Sequence, residues 1–197
     1  MLFLASQSPR RAELLRQIGV DFETLDVSVP EQRLPAEPPE DYVRRVAREK
    51  AGAGLLAVAG VPGAIVLGAD TEVVLDDAVF GKPRDAAEAA RMLARLAGRA
   101  HRVLSAVAVV TRAGEWQALS ESRVHVMPLD AAAVAAYVGT GEWQGKAGGY
   151  AIQGRAAVFV ERLDGSYSGV MGLPLHETAR LLGAAGHPVS PAFIRGS

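Results

Sequence analysis

Hydrophobic and polar positions repeat along this chain with two different periods, and the switches between them mark its elements. The run "LFLA" at 2–5 is continuously apolar and predicts a short buried strand. The period then changes within "SQSPRRAELL" at 6–15. Ser8 suits an N-cap, Pro9 suits the first helical position, and Leu14, Leu15 and Ile18 supply an apolar stripe, so a helix follows. Alternation in "DFETLDVSV" at 21–29 predicts a second strand, and the proline-rich "PAEPPE" at 35–40 a loop. Beyond it, Tyr42, Val43, Val46 and Ala47 fall on one side of a helix whose later part is weakened by Gly52 and Gly54.

The stretch "AIVLGADTEVVLDDAVFGKP" reads as a buried strand, a polar interruption at Asp70 to Glu72, a turn at Asp76 and Asp77, and a short return. "RDAAEAARMLARLAG" predicts a helix closed by Gly98. A long hairpin through Arg112 to Gly114 comes next, then a short helix capped by Asp130. The last third predicts a glycine-rich loop, a strand near Ala156 to Arg162 and a helix around Leu175 to Leu182, with "FIRGS" fraying at the end. Helices and strands mix throughout, hairpins included, which implies an α/β fold with a mixed sheet flanked by helices.

With 197 residues the chain suffices for one well-buried domain, elongated around a central cleft or not, and no linker or repeat divides it. Its 21 basic and 22 acidic side chains create no global field for a nucleic acid or an anionic membrane, so any basic site is local. No apolar run reaches the roughly 20 residues of a membrane span, and "MLFLAS" turns polar too soon for a secretory signal. A cytoplasmic protein is expected. The absence of cysteine removes disulfide and thiolate chemistry, and His101, His125, His176 and His187 lie too far apart for a local metal motif.

Candidate chemistry concentrates in a few stretches. Arg10 and Arg11 sit in a helix's first turn, where free N–H groups and the macrodipole already carry positive character. An anion such as phosphate would resolve that conflict, and solvated surface arginines are the plainer alternative. Asp70 and Glu72 share a face if the strand stays extended, and a carboxylate buried there needs a cation, a metal or water. The other reading is a strand end meeting solvent. Lys50, in "REK", and Lys82, held between Gly81 and Pro83, suit phosphate contacts or ordinary surface positions. In "GKAGGYAIQG" at 145–154, glycines allow close backbone approach to a ligand, and Gln153 offers the donor and acceptor that complement the edge of uracil or thymine. "GSYSGVMGLPL" either contacts phosphate through its hydroxyls or seats the last helix.

Taken in order, "SQSPRRAELL", "AREKA", "GADTEV", "GKPRDAAEAARMLARLAG", "GKAGGYAIQG" and "GSYSGVMGLPLHE" resemble the Maf family of nucleoside triphosphate pyrophosphatases across nearly the whole chain. "GGYAIQG" looks like the dTTP and UTP branch. The resemblance implies an elongated α/β fold with a mixed sheet and a central cleft, related to the inosine triphosphate pyrophosphatases. It implies hydrolysis of dTTP, UTP and modified pyrimidine triphosphates to monophosphate and pyrophosphate with a divalent cation. By motif position, Asp70 corresponds to the proton acceptor, Arg10, Thr71 and Gln153 to base selection, and Ser8, Arg11, Lys50 and Lys82 to phosphate contacts. Mg²⁺ or Mn²⁺ would be held partly by Asp70 and Glu31. This chain has "VPEQR" where many members carry an Asp-Glu pair, so Glu31 stands alone.

Three rivals remain on the sequence. One is cleavage of inosine or xanthosine triphosphate, and another a nucleotide-binding regulator of cell division and septum formation without significant catalysis. The third, a nucleic-acid-binding domain, is disfavoured by the balanced charge. The expected partner is a small nucleoside triphosphate, with no nucleic acid and no membrane, and a homodimer stays open because exposed apolar surface is not visible in a sequence.

Overall fold

A computed structural model describes residues 1–189, so the "FIRGS" expectation lies outside the described residues. The strands are β1 (Leu2–Leu4), β2 (Glu23–Thr24), β3 (Ile65–Leu75), β4 (Ala78–Phe80), β5 (Ala100–Val110), β6 (Glu115–Val126) and β7 (Val160–Asp164). The helices are α1 (Pro9–Gln17), α2 (Pro39–Ala57), α3 (Ala86–Leu96), α4 (Ala131–Gly139), α5 (Tyr167–Met171) and α6 (Leu175–Ala184). Strand pairing follows the order β2-β1-β3-β5-β6-β7, with β4 on β3, in a seven-stranded sheet. β1 is parallel to both β2 and β3, while β3/β4 and β6/β7 are antiparallel, so the sheet is mixed as expected. No helix among the described residues is long and apolar enough to cross a membrane.

The chain forms two compact units, the first made of Met1–Asp70, Ser105–Ser120 and the segment from Gly172, the second of Thr71–Leu104 and Glu121–Met171. In the first, Leu4 and Leu15 are fully buried, as are Val43 and Val46 of α2 and Leu67 of β3. α2 lies unusually close to β3. A Cβ at Gly54 would meet Val66 at 2.7 Å, and one at Gly68 would meet the carbonyl oxygen of Ala47 at 2.4 Å. In the second unit Val73, Phe80, Leu93, Leu96, Val124 and Trp143 belong to one apolar cluster.

Local chemistry explains the elements that match their sequence signals. Ser8 is the N-cap of α1 with Pro9 behind it, and Asp130 caps α4 by accepting from the Ala133 N–H at 2.7 Å. Asp76 and Asp77 take φ of 49° and 62°, the pair of left-handed residues that a two-residue hairpin between Leu75 and Ala78 requires.

Three expectations change. The strand expected at 21–29 is only Glu23–Thr24, because its partner β1 ends at Leu4; the Leu25 N–H still donates to the Leu4 carbonyl at 2.8 Å, and the ladder goes no further. The strand expected from Ala156 starts at Val160 and is preceded by a 3-10 turn over Arg155–Phe159. β6 ends opposite it, with Val126 level with Val160, and the last bond across the pair runs from the Met127 N–H to the Phe159 carbonyl at 2.9 Å. Asp70 to Glu72 do not interrupt their strand at all: β3 runs through them without a break, and both carboxylates are buried.

Candidate functional site

In the first unit the chemistry gathers around one buried lysine. Lys50 is one of the buried residues of α2, beside Val46, Ala47 and Ala51. Lys50 Nζ donates to Asp70 Oδ1 at 2.8 Å and lies 2.6 Å from Glu31 Oε1. Asp70 is 5% exposed, and its other oxygen, Oδ2, is buried with no hydrogen-bond partner among the described residues. An ionised oxygen left so is costly, and polar groups of this kind normally find a donor or a cation.

The same edge of the fold holds the start of α1. β1 and β3 are parallel with Leu4 level with Leu67, and the Ala5 N–H donates to the Leu67 carbonyl at 2.8 Å. Continuing that register sets Ser6 level with Ala69, so the chain turns into α1 beside the part of β3 that carries Asp70. Ligands of parallel α/β sheets bind at such carboxyl ends of strands. Ser8, the N-cap, makes no side-chain capping bond, and its backbone N–H donates to Ser6 Oγ at 3.2 Å. Burial, and after it the like charge of Arg11, push Arg10 below its ordinary pKa, so the helix start is electrostatically loaded with positive charge. Arg11 is anchored, donating through Nε to the Gly172 carbonyl at 2.8 Å and through a terminal nitrogen to Ser6 Oγ at 3.2 Å.

Glu31 is half-exposed, yet its loop is fastened by residues the sequence did not single out. Arg45 of α2 donates to both oxygens of Glu37, at 2.7 and 2.9 Å, and to the Gln32 carbonyl at 3.0 Å. The Leu34 N–H also donates to Glu37, at 2.9 Å. One helix therefore carries both Lys50 and the clasp for the loop that brings Glu31 to it. The Arg45 bond holds the Glu37 carboxyl well below its ordinary range, at about 2. With the folded value depressed, the clasp is whole above about pH 4.5 and is lost as pH falls toward 2. Amide exchange of residues 31–37 should rise in that acid window, and Arg45→Gln should produce the same rise at neutral pH; slow exchange in the variant would show that the loop needs no clasp.

The remaining candidates belong to the second unit. Thr71, directly after Asp70 on β3, is half-buried, Glu72 is buried, and Lys82 is exposed. Gln153 is exposed between buried Ile152 and the half-buried Gly154. The structure joins the Lys82 and Gln153 segments: the Gly148 N–H donates to the carbonyl of Gly81 at 3.2 Å. In "GSYSGVMGLPL", Ser166 Oγ caps α5 by accepting from the Gly169 N–H at 3.0 Å, and the Ser166 N–H donates to Ser122 Oγ at 2.9 Å. Among the histidines, His101 is buried and bonded to Tyr150, a pairing with no local sequence signal because the residues lie far apart in the chain.

No group of three or more His, Cys, Asp or Glu side chains among the described residues forms a metal cage. The donor set nevertheless fits Mg²⁺ or Mn²⁺, which are commonly held by one or two carboxylates together with substrate phosphates. The Asp70 carboxylate, with one oxygen unsatisfied among the described residues, and Glu31 are the groups that would hold such an ion.

Comparison with known proteins agrees with the sequence motifs. The family model described as Maf-like protein matches residues 1–185. The dTTP/UTP pyrophosphatase of Xanthomonas campestris pv. campestris is 57% identical over 188 residues, covering 94% of this chain and 99% of that protein. The dTTP/UTP pyrophosphatase of Burkholderia pseudomallei is 56% identical over 194 residues, covering 93% of each. Among solved structures, the Staphylococcus aureus Ham1 protein aligns at TM-score 0.43 and 12% identity over 64% of this chain and 71% of that one. Protein VC0702 from Vibrio cholerae aligns at TM-score 0.34 and 15% identity, over 66% and 63%. Scores of that size support no residue equivalence.

Proposed function

This chain belongs to the Maf family, and from that premise we propose that it hydrolyses dTTP and UTP to monophosphate and pyrophosphate in a metal-dependent reaction in which Asp70 accepts the proton. The observation that carries this reading is Asp70 itself, a buried carboxylate held through one oxygen by Lys50 with its other oxygen unsatisfied. A carboxylate fixed in this way is aimed and cannot rotate freely, and its free oxygen suits a water that it can orient and deprotonate. Water adds to the α phosphorus, the bond from that phosphorus to the bridging oxygen breaks, pyrophosphate departs with that oxygen and the bonding pair, and the proton of the water passes to the Asp70 carboxylate. A divalent cation, which the Asp70 and Glu31 carboxylates would hold, would neutralise phosphate charge and lower the pKa of water.

The other residues divide the nucleotide between them. Ser8 holds phosphate oxygens, with Arg11, Lys50 and Lys82 supplying positive charge. Lys50 has a second duty, since it also fixes the Asp70 rotamer. Arg10, Thr71 and Gln153 select the base, the Gln153 amide pairing with the donor and acceptor edge of uracil or thymine. Gln153→Glu places a carboxylate against the O4 acceptor, so UTP turnover is expected to fall by about a hundredfold or more, and the exposed position leaves the melting temperature nearly unchanged. An unchanged order of preference among nucleotides would remove Gln153 from base selection.

The direct experiment measures monophosphate and pyrophosphate released from a panel of nucleoside triphosphates with Mg²⁺, with Mn²⁺ and with chelator. Cleavage of UTP and dTTP in metal alone supports the reading. Binding of a triphosphate without turnover would favour the regulator of cell division, and a preference for inosine triphosphate would overturn the pyrimidine assignment.

A further inference from the structure

Gln153 is exposed, so its place is set by the backbone that carries it. That backbone is a turn in which the Gly154 N–H donates to the Ala151 carbonyl at 2.9 Å, and Gln153 is its third residue. The approach to the turn is tightly held. Gly148 and Gly149 take φ of 70° and 74°, and a Cβ at Gly148 would come within 2.9 Å of Val73 Cγ2. The Ala151 N–H donates to the Tyr137 hydroxyl at 3.1 Å. Tyr150, immediately before the turn, has its hydroxyl 2.8 Å from His101 Nε2 at the start of β5, with the rings edge to face and centroids 5.5 Å apart.

Packing alone does not call for this last contact. His101 is 2% exposed and Tyr150 8%, and His101 Nδ1 is buried without a partner among the described residues. Phenylalanine and an aliphatic residue would fill the same volume without desolvating polar atoms. Burial lowers the His101 pKa to about 4 and raises that of the Tyr150 hydroxyl, so both groups are neutral through the physiological range and the bond is not a proton switch. What a hydrogen bond adds to an apolar contact is direction: it fixes how far the Tyr150 ring is drawn in and how it is rotated.

We propose that His101 is a positioning residue for base selection, fixing through the Tyr150 hydroxyl the Ala151–Gly154 turn and hence the station of the Gln153 amide. The proposal rests on the reading of Gln153 as the residue that recognises the pyrimidine edge. His101 touches no substrate in this arrangement. Its influence falls on which base is accepted, and the proton transfer at Asp70 is left alone.

The test compares Tyr150→Phe, His101→Leu and the conservative His101→Gln, each checked for folding by thermal melting, with Gln153→Glu in parallel. The readouts are KM and kcat for UTP and GTP, and the affinity of each folded variant for a non-hydrolysable UTP analogue. Losing one directing hydrogen bond is expected to raise KM for UTP about three- to tenfold and to lower the UTP over GTP preference by a similar factor, with kcat for UTP within about threefold. His101→Gln, which keeps a donor and an acceptor, should recover part of the preference, and a His101→Leu/Tyr150→Phe double variant should be no worse than either single one. A lower melting temperature with an unchanged preference and analogue affinity would make the pair merely structural and overturn the proposal. If Gln153→Glu also leaves preference unchanged, the base-selection reading fails first and the proposal falls with it; if that variant loses preference and Tyr150→Phe does not, only the proposal falls.

Discussion

Asp70→Asn is expected to fold and to hydrolyse UTP about a hundred- to ten-thousandfold more slowly, the range that a positioned general base contributes. The substitution is nearly isosteric, and the asparagine oxygen still accepts from Lys50, whose ammonium keeps Glu31 as its counter-charge. What disappears is the negative charge and the basicity of Oδ2, the oxygen that no protein group satisfies. Stability should therefore move far less than rate. The reverse experiment separates charge from fold: Lys50→Met leaves the Asp70 and Glu31 carboxylates together without their cation, and breaking a buried pair from one side costs about 3–5 kcal/mol. Parallel measurement of turnover and thermal unfolding checks both. A near-normal rate in Asp70→Asn would remove the carboxylate from the chemistry, and an unperturbed melting temperature in Lys50→Met would show the trio to be a surface ion pair in all but burial.

How far these residues were legible in the sequence depends on the distance over which each is determined. The start of α1 was readable because Ser8, Pro9 and the Leu14–Leu15 stripe act within a few residues of one another, and Asp130 announces α4 in the same local way. Strand lengths were not, because alternation states only that a segment suits a sheet, while the ladder requires a neighbour. β2 stops with its short partner, and β7 cannot begin before β6 offers Val126. The polarity of Asp70 to Glu72 suggested an interruption, since burying two carboxylates on a strand is unfavourable unless something compensates. For Asp70 the compensation is Lys50, a full helix away in sequence, so motif reading could point to each residue without showing the bond between them. The Arg45–Glu37 clasp and the His101–Tyr150 pair were invisible for the same reason: neither partner is unusual until the fold brings it to the other.

Gly68→Ala is expected to damage the enzyme more than a single methyl suggests, because the bond between Lys50 and Asp70 depends on how closely α2 approaches β3. A Cβ at Gly68 would stand 2.4 Å from the Ala47 carbonyl oxygen, 2.6 Å from the Ala51 nitrogen and 3.0 Å from Ala51 Cβ. The first two are backbone atoms of α2 on either side of Lys50, and no rotamer change can move them. Gly68 is not among the glycines with positive φ, so alanine meets no conformational penalty and the effect is purely steric. The helix must back away from the strand, at a cost of about 1–3 kcal/mol for an overpacked interior. Lys50 moves with it, while Asp70 lies two residues beyond the clash on a strand anchored by β1, so the 2.8 Å bond lengthens. Displacement of a catalytic group by about 1 Å costs on the order of a hundredfold in rate, and that loss is expected in kcat/KM. Gly52→Ala supplies the control, since it lies in the same helix with nothing within 4 Å of the added Cβ. It should stabilise the protein by about 0.5–1 kcal/mol through the ordinary preference of helices for alanine and leave turnover untouched. Equal rates in the two variants would mean that α2 tolerates displacement at Lys50, and that the contact between the ammonium and Asp70 is a consequence of the packing without being needed for catalysis.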